Sequence, residues 1–172
     1  ADPDGESTYS ENFETFKAQT TELAEALEAD QASIPEGDKE LLTYHDAYAY
    51  FAKTYGWTVI GAIQPENFED PTPREVAALI DQVKAEDVPV IFGSEVFPSD
   101  VLEEVGNATG ARYEDTLRDD DLPGEPGDAE HSWAGLMRYN YVTMITGLGG
   151  MAPELEALDL TSDVPDGAEY PQ

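Results

Sequence analysis

The sequence predicts an α/β fold: a three-layer α/β/α lobe on a four-stranded, mainly parallel sheet, preceded by a long helix. Three observations lead there. Short runs rich in branched and aromatic residues alternate with amphipathic segments of ten to fifteen residues, the order in which helical crossovers join parallel strands. Helix-start and helix-stop signals fall at the junctions. A chain of 172 residues with 40% hydrophobic content can bury one substantial core but is short for two domains.

Each element has its own signal. Tyr9, Phe13, Phe16, Leu23 and Leu27 recur at helical spacing with Glu, Thr and Gln between them, which predicts an amphipathic helix. The stretch ADQASIPEGDKE interrupts it. LLTY then reads as a short buried strand with His45 at its carboxyl end, DAYAYFAKTYG as a helix closed by Gly56, and WTVIGAI as a second strand. In TPRE, Thr72 is an N-cap, Pro73 takes the first helical position and Glu75 completes a capping box. Val76, Leu79, Ile80 and Val83 form the buried stripe of the helix it opens. VPVIFGSE is a third strand, PSDVLEEVGNATG a helix ending near Gly110, and ARYEDTL a fourth strand. Beyond the acidic loop RDDDLPGEPGDAEH, Ser132 caps a last helix whose apolar face is Trp133, Leu136, Met137, Met144, Ile145 and Leu148. From Met151 the chain turns polar, and a loosely attached tail is expected. The regions are therefore 1–34, helix and connection; 35–150, the α/β lobe; and 151–172, an acidic C-terminal tail. No internal repeat is present.

Charge narrows the function. Thirty-eight Asp and Glu against eight Lys and Arg give a formal net charge of −30, which repels nucleic acid and anionic membranes. The acids are spread through the amphipathic pattern and Lys is scarce, as expected of a halophilic surface adapted to concentrated salt, which screens self-repulsion. A disordered acidic chain would lack the hydrophobic content and the periodic segments. The absence of cysteine removes disulfides, thiolate metal sites and cysteine nucleophiles together. There is no signal peptide or long apolar run, and the start ADPDGESTY without Met suits a mature protein or an excised fragment. GLGG follows a helix and reads as a helix stop, not a phosphate cradle. No Walker loop, nucleophile elbow or His-Glu-x-x-His pattern occurs, and DDDLPGEPGD lacks EF-hand spacing.

Parallel α/β sheets bind ligands outside the carboxyl ends of their strands. The side chains placed there are His45, Gln64, Glu66, Glu95, Glu114 and Asp115. One imidazole among several carboxylates is a ligand set for a divalent cation.

The stretch TYHDAYAYFAKTYGW, with PTPREVAALIDQVKAEDVPVIFGSEVF, LEEVGNATGARYEDTL and LMRYNYVTMITGL, resembles the extracytoplasmic zinc- and manganese-binding proteins of ABC transporters, the TroA-like family. The opening DPDGESTYSENFETFKAQTTEL is similar to that family's linking helix between two α/β lobes, so the likeness runs from residue 2 to about 148. The resemblance implies a C-terminal lobe with part of the linking helix, and a metal clamped between this lobe and an N-terminal lobe that supplies two further histidines. It places the third ligand on His45 and the fourth on Asp115; Glu95 and Glu114 themselves read as structural carboxylates or as groups that orient a ligand from behind. It implies no catalysis: Zn(II) or Mn(II) is captured outside the membrane, by a protein periplasmic or held at the cell surface through a lipid anchor, and delivered to an ABC permease. Other readings of the residues stay open. His45 can be a structural histidine, Asp115 a turn cap, and Glu114 or Asp119 the metal ligand. His131 reads as a surface or capping residue, and the tyrosines of YHDAYAYF as core packing. The rival functions are a small metal-dependent α/β hydrolase using His45 and Asp115, and an adhesion or scaffold module.

Overall fold

Neighbouring strand residues feed different cores. Leu41 and Leu42 are both fully buried yet belong to separate apolar clusters, and the same division sets Val90 and Phe92 apart from Ile91. Side chains alternate across a strand, so a strand covered on both faces must serve two cores. One cluster joins the strands to Leu23, Leu27, Met144, Ile145 and Leu155; the other joins them to Leu79, Val83, Leu102 and Val105. Helices therefore lie on both faces, giving the predicted three-layer α/β arrangement.

The computed structural model describes residues 2–35, 37–64, 72–95 and 100–160, with Ile63, Gln64 and Asp115 described by their backbone alone. Strand β1 (Glu40–His45) pairs in parallel with β2 (Thr58–Gln64), and β3 (Val90–Ser94) in parallel with β4 (Arg112–Leu117). Among the described residues these form two two-stranded sheets, not one ladder of four, with β1 lying beside β3. The spatial order is β2, β1, β3, β4. Helix α1 (Glu6–Asp30) precedes the strands, and α2 (Ala49–Tyr55) connects β1 to β2 on its side of the sheet. Helices α3 (Pro73–Glu86) and α4 (Asp100–Thr109) cover the opposite side. The winding thus reverses between β1 and β3, creating a switch point at their carboxyl ends.

Local signals formed where expected. Thr72 and Glu75 make a reciprocal capping box, with the Thr72 N–H donating to Glu75 Oε2 at 2.7 Å and the Glu75 N–H to Thr72 Oγ1 at 3.4 Å. Gly56 closes α2 at φ 74°, a left-handed conformation open to glycine at little cost. Ser132 Oγ accepts from the Gly135 N–H at 3.1 Å and starts α5 (Trp133–Gly147).

Two expectations need correcting. The apolar stripe of α1 is buried only in its C-terminal part, at Leu23, Ala26 and Leu27; Tyr9, Phe13 and Phe16 are 58%, 60% and 48% exposed. Trp133 is likewise partly exposed, its ring 5.2 Å from that of Phe16. The helical period is real, but it serves two different surfaces. The segment after Met151 is no loose tail over its first ten residues. It forms α6 (Pro153–Glu156), with Ala152, Leu155 and Leu160 buried. The buried Asp30 carboxylate accepts from the backbone N–H groups of Leu155 at 2.8 Å and Glu154 at 3.2 Å. The Met151 N–H donates to Ser33 Oγ at 2.8 Å. Residues 161–172 of the expected tail lie outside the described residues.

Candidate metal centre at the carboxyl edge of the strands

Strand β1 ends on His45 after four buried residues, Leu41 to Tyr44. Thr43 Oγ1 donates to the His45 carbonyl at 2.7 Å, and the Tyr44 ring meets the imidazole edge-on at 5.0 Å. Strand β4 ends at Leu117, and the chain turns through Arg118 to Asp119. There His45 Nε2 and Asp119 Oδ2 lie 3.6 Å apart, with their side chains 20% and 27% exposed. This contact brings the carboxyl ends of the two ladders to one edge.

The separation exceeds that of an N–H···O hydrogen bond, about 2.7–3.2 Å. It is close to the spacing of about 3.4 Å between two donors of a tetrahedral zinc ion bound at about 2.1 Å each. Imidazole nitrogen and carboxylate oxygen suit zinc, manganese and iron alike. Among the described residues no group of three or more His, Cys, Asp or Glu is arranged to hold a metal ion.

Other carboxylates occupy distinct positions. Glu95, one residue past β3, accepts through Oε1 from the N–H groups of Asp119 at 2.7 Å, Asp120 at 3.0 Å and Asp121 at 3.4 Å. Burial raises its carboxyl pKa, but these backbone donors outweigh burial and hold it below the usual glutamate value. Asp119 shifts the other way: burial raises its pKa, His45 opposes the rise, and Glu95 and Asp120 add to it. Glu114 pairs with Arg112 at 2.7 Å, while the second guanidinium nitrogen of Arg112 donates to the Gly147 carbonyl at the end of α5. Asp115 is the residue skipped by the β3–β4 register, between the pairs Phe92–Glu114 and Gly93–Thr116. Its side chain, that of Gln64, and Glu66 as a whole lie outside the described residues. His131 Nδ1 lies 3.2 Å from the Pro123 carbonyl and ties its own loop together.

Two residues near this edge escape sequence-based assignment. Burial first, then the negative charges of Asp119 and Glu95, push the Tyr48 hydroxyl far above its ordinary pKa, so this phenol shares their electrostatic environment. Asn140 on α5 is 4% exposed; its Oδ1 accepts from the Arg118 N–H and its Nδ2 donates to the Arg118 carbonyl, both at 2.8 Å. A signal for Asn140 was available: an amide at the same helical spacing as Leu136 and Met144 interrupts an apolar stripe.

The fold has counterparts. The manganese-binding lipoprotein MntA of Halalkalibacterium halodurans is 27% identical over 147 residues, covering 86% of this chain and 49% of that protein. The iron-binding protein YfeA of Yersinia pestis is 28% identical over 149 residues, 86% of this chain and 47% of its own length. The solved structure of the periplasmic zinc-binding protein TroA from Treponema pallidum superposes with a TM-score of 0.74 at 21% identity, covering 85% of this chain and 54% of that one. The chain thus spans about half the length of the curated relatives it matches. The family described as the periplasmic zinc-uptake complex component A, ZnuA, matches residues 1–147, and the chain belongs to that family.

Proposed function

We propose that this chain is the C-terminal half of a two-lobed solute-binding protein that captures a divalent transition metal, Zn(II) or Mn(II), and delivers it to an ABC permease. The observation that carries the reading is the approach of His45 Nε2 to Asp119 Oδ2, 3.6 Å apart at the strands' switch point. His45 is the imidazole donor. Asp119 is the carboxylate donor we favour, ahead of Asp115, which remains the alternative inside β4. Glu95 holds the loop that bears Asp119; Glu114, paired with Arg112, is assigned no direct role at the metal.

Two donors leave half of a tetrahedral coordination sphere to water, so this half binds weakly and closure of a second lobe completes the cage. The exposed Tyr9, Phe13 and Phe16 on α1 support such a lobe, because they offer an apolar stripe beyond the core of the present one. So does the share of the relatives that the chain spans. Delivery needs no bond made or broken beyond metal–ligand exchange. Nothing among the described residues favours the hydrolase alternative.

No helix among the described residues is long and apolar enough to cross a membrane. Relatives named as lipoproteins support an extracytoplasmic place, anchored through another part of the protein. The net charge of −30 supports a salt-rich medium.

Calorimetric titration with Zn(II) and Mn(II) tests the site. The expected result is saturable one-to-one binding, weakened at least tenfold by His45→Ala and by Asp119→Ala, and falling with pH as protons compete for both donors. Unchanged affinity in His45→Ala removes the assignment. Loss with Asp115→Ala but not with Asp119→Ala transfers the second donor to Asp115.

A further inference from the structure

The backbone that presents Asp119 is gripped from two sides before any metal arrives. From α5, the buried Asn140 side chain closes a two-point hydrogen-bonded ring on Arg118, pairing its N–H and its carbonyl. From the end of β3, a single oxygen of Glu95 gathers the next three N–H groups, those of Asp119, Asp120 and Asp121. The four consecutive residues from Arg118 to Asp121 thus have every backbone N–H bound by a side chain from another element. Neither grip touches the Asp119 carboxylate.

We propose that Asn140 and Glu95 are positioning residues that act jointly to preorganise Asp119 for metal capture, an inference that rests on the metal-site reading above. The physical reasons are specific. A carboxylate on a free turn must give up backbone and side-chain freedom when it coordinates, and that cost weakens binding. Here the turn is already ordered by an amide buried in the helix layer and by a carboxylate at the neighbouring strand end. The grip also explains why an acid is placed beside another acid. Four carboxylates crowd this edge, at Glu95, Asp119, Asp120 and Asp121, and mutual repulsion favours splaying the turn. Glu95 directs its charge onto N–H dipoles, so the turn closes around it and Asp119 is left to face His45.

Groups outside the metal's immediate ligands typically change affinity by about 10- to 100-fold when removed. The test uses the 172-residue chain in molar KCl, which screens diffuse binding to the acidic surface. Co(II) is titrated and followed through the shifted ring protons of His45, which report even weak binding. Asn140→Ala and Glu95→Ala are expected to weaken Co(II) about tenfold or more, and Glu95→Gln, which keeps an acceptor oxygen, to lose less. Each variant is then made in an Asp119→Ala background. There the positioning effect vanishes, because its object is gone, whereas loss of general stability persists in the thermal midpoint. Equal losses with and without Asp119 overturn the proposal and make both residues purely structural. Full affinity in folded Glu95→Gln and Glu95→Ala proteins also overturns it. If Asp119→Ala itself leaves Co(II) affinity unchanged, the assignment of Asp119 as ligand fails first, and the positioning roles fall with it. Should Asn140→Ala not fold, the Glu95 pair and backbone amide exchange at Asp119 to Asp121 decide the question.

Discussion

Glu95 keeps a partly buried carboxylate ionised by giving it three backbone N–H donors. Its folded pKa lies below the ordinary 4.5, so it contributes stability that is fully present above that value and is lost as pH falls through the lower folded value. Asp119 has the opposite sign: its pKa is raised above 3.8, so its ionised form is disfavoured in the fold and acid relieves that cost. Acid is therefore expected to release the grip of Glu95 while leaving Asp119 unopposed. Amide exchange at Asp119 to Asp121 should be slow at about pH 6 and accelerate beyond its intrinsic rate change below about pH 4. A turn equally protected at both pH values, or an identical acid profile in Glu95→Gln, would show that the N–H groups are held by something else. His45 is visible in the sequence as a strand-end candidate and Asp119 only as an alternative to Asp115, and their pairing is not visible at all. Alternation along β4 is broken by the skipped residue Asp115, and the carboxylate that meets His45 lies two positions beyond the strand.

Among the elements, those specified by near neighbours are legible in the sequence and those specified by distant ones are not. The capping box at Thr72, the left-handed Gly56 and the Ser132 cap involve partners within a few residues, so sequence spacing reveals them. The docking of α6 rests on Asp30, whose bonds reach residues 124 and 125 positions away. Nothing in the local pattern of MAPELEALDL announces a buried carboxylate waiting at the end of α1. Asp30→Ala leaves the buried Leu155 N–H without its acceptor, and the expected loss is about 1–3 kcal/mol in urea unfolding, with faster amide exchange at Leu155. A variant with wild-type stability and protected Leu155 would mean that apolar packing alone seats α6. The exposed part of the α1 stripe has a related cause. Helical periodicity identifies a face, but what that face packs against is not written in its spacing.

At the scale of the molecule, net charge is the strongest influence outside the core. A formal charge of −30 on 172 residues opposes compaction, and at about 1 M salt the screening length shrinks to about 3 Å from about 10 Å at 0.1 M. The thermal midpoint is expected to rise between about 0.1 and 2 M KCl, with most of the gain where the screening length first falls below the spacing of surface acids. A midpoint that stays flat or falls over that range would detach the acidic surface from any benefit of salt. The overall α/β plan is legible because it depends on composition and period, which are averages over many residues. The proposed half-site includes a turn held by two side chains from elsewhere, which no average reports.

The 25 residues of α1 make a rod about 37 Å long. Its buried residues, Leu23, Ala26, Leu27 and Asp30, all lie in its last eight positions. Mechanically it is a pointer fixed at one end. The free arm, Glu6 to Glu22, is about 25 Å long, so a tilt of about 5° at that mounting carries the far tip through about 2 Å, about a metal–donor bond length. In the proposed two-lobed protein, the fit of α6 against Asp30 therefore sets the aim of whatever rides on Tyr9 and Phe13, and with it whether donors from a second lobe reach His45 and Asp119.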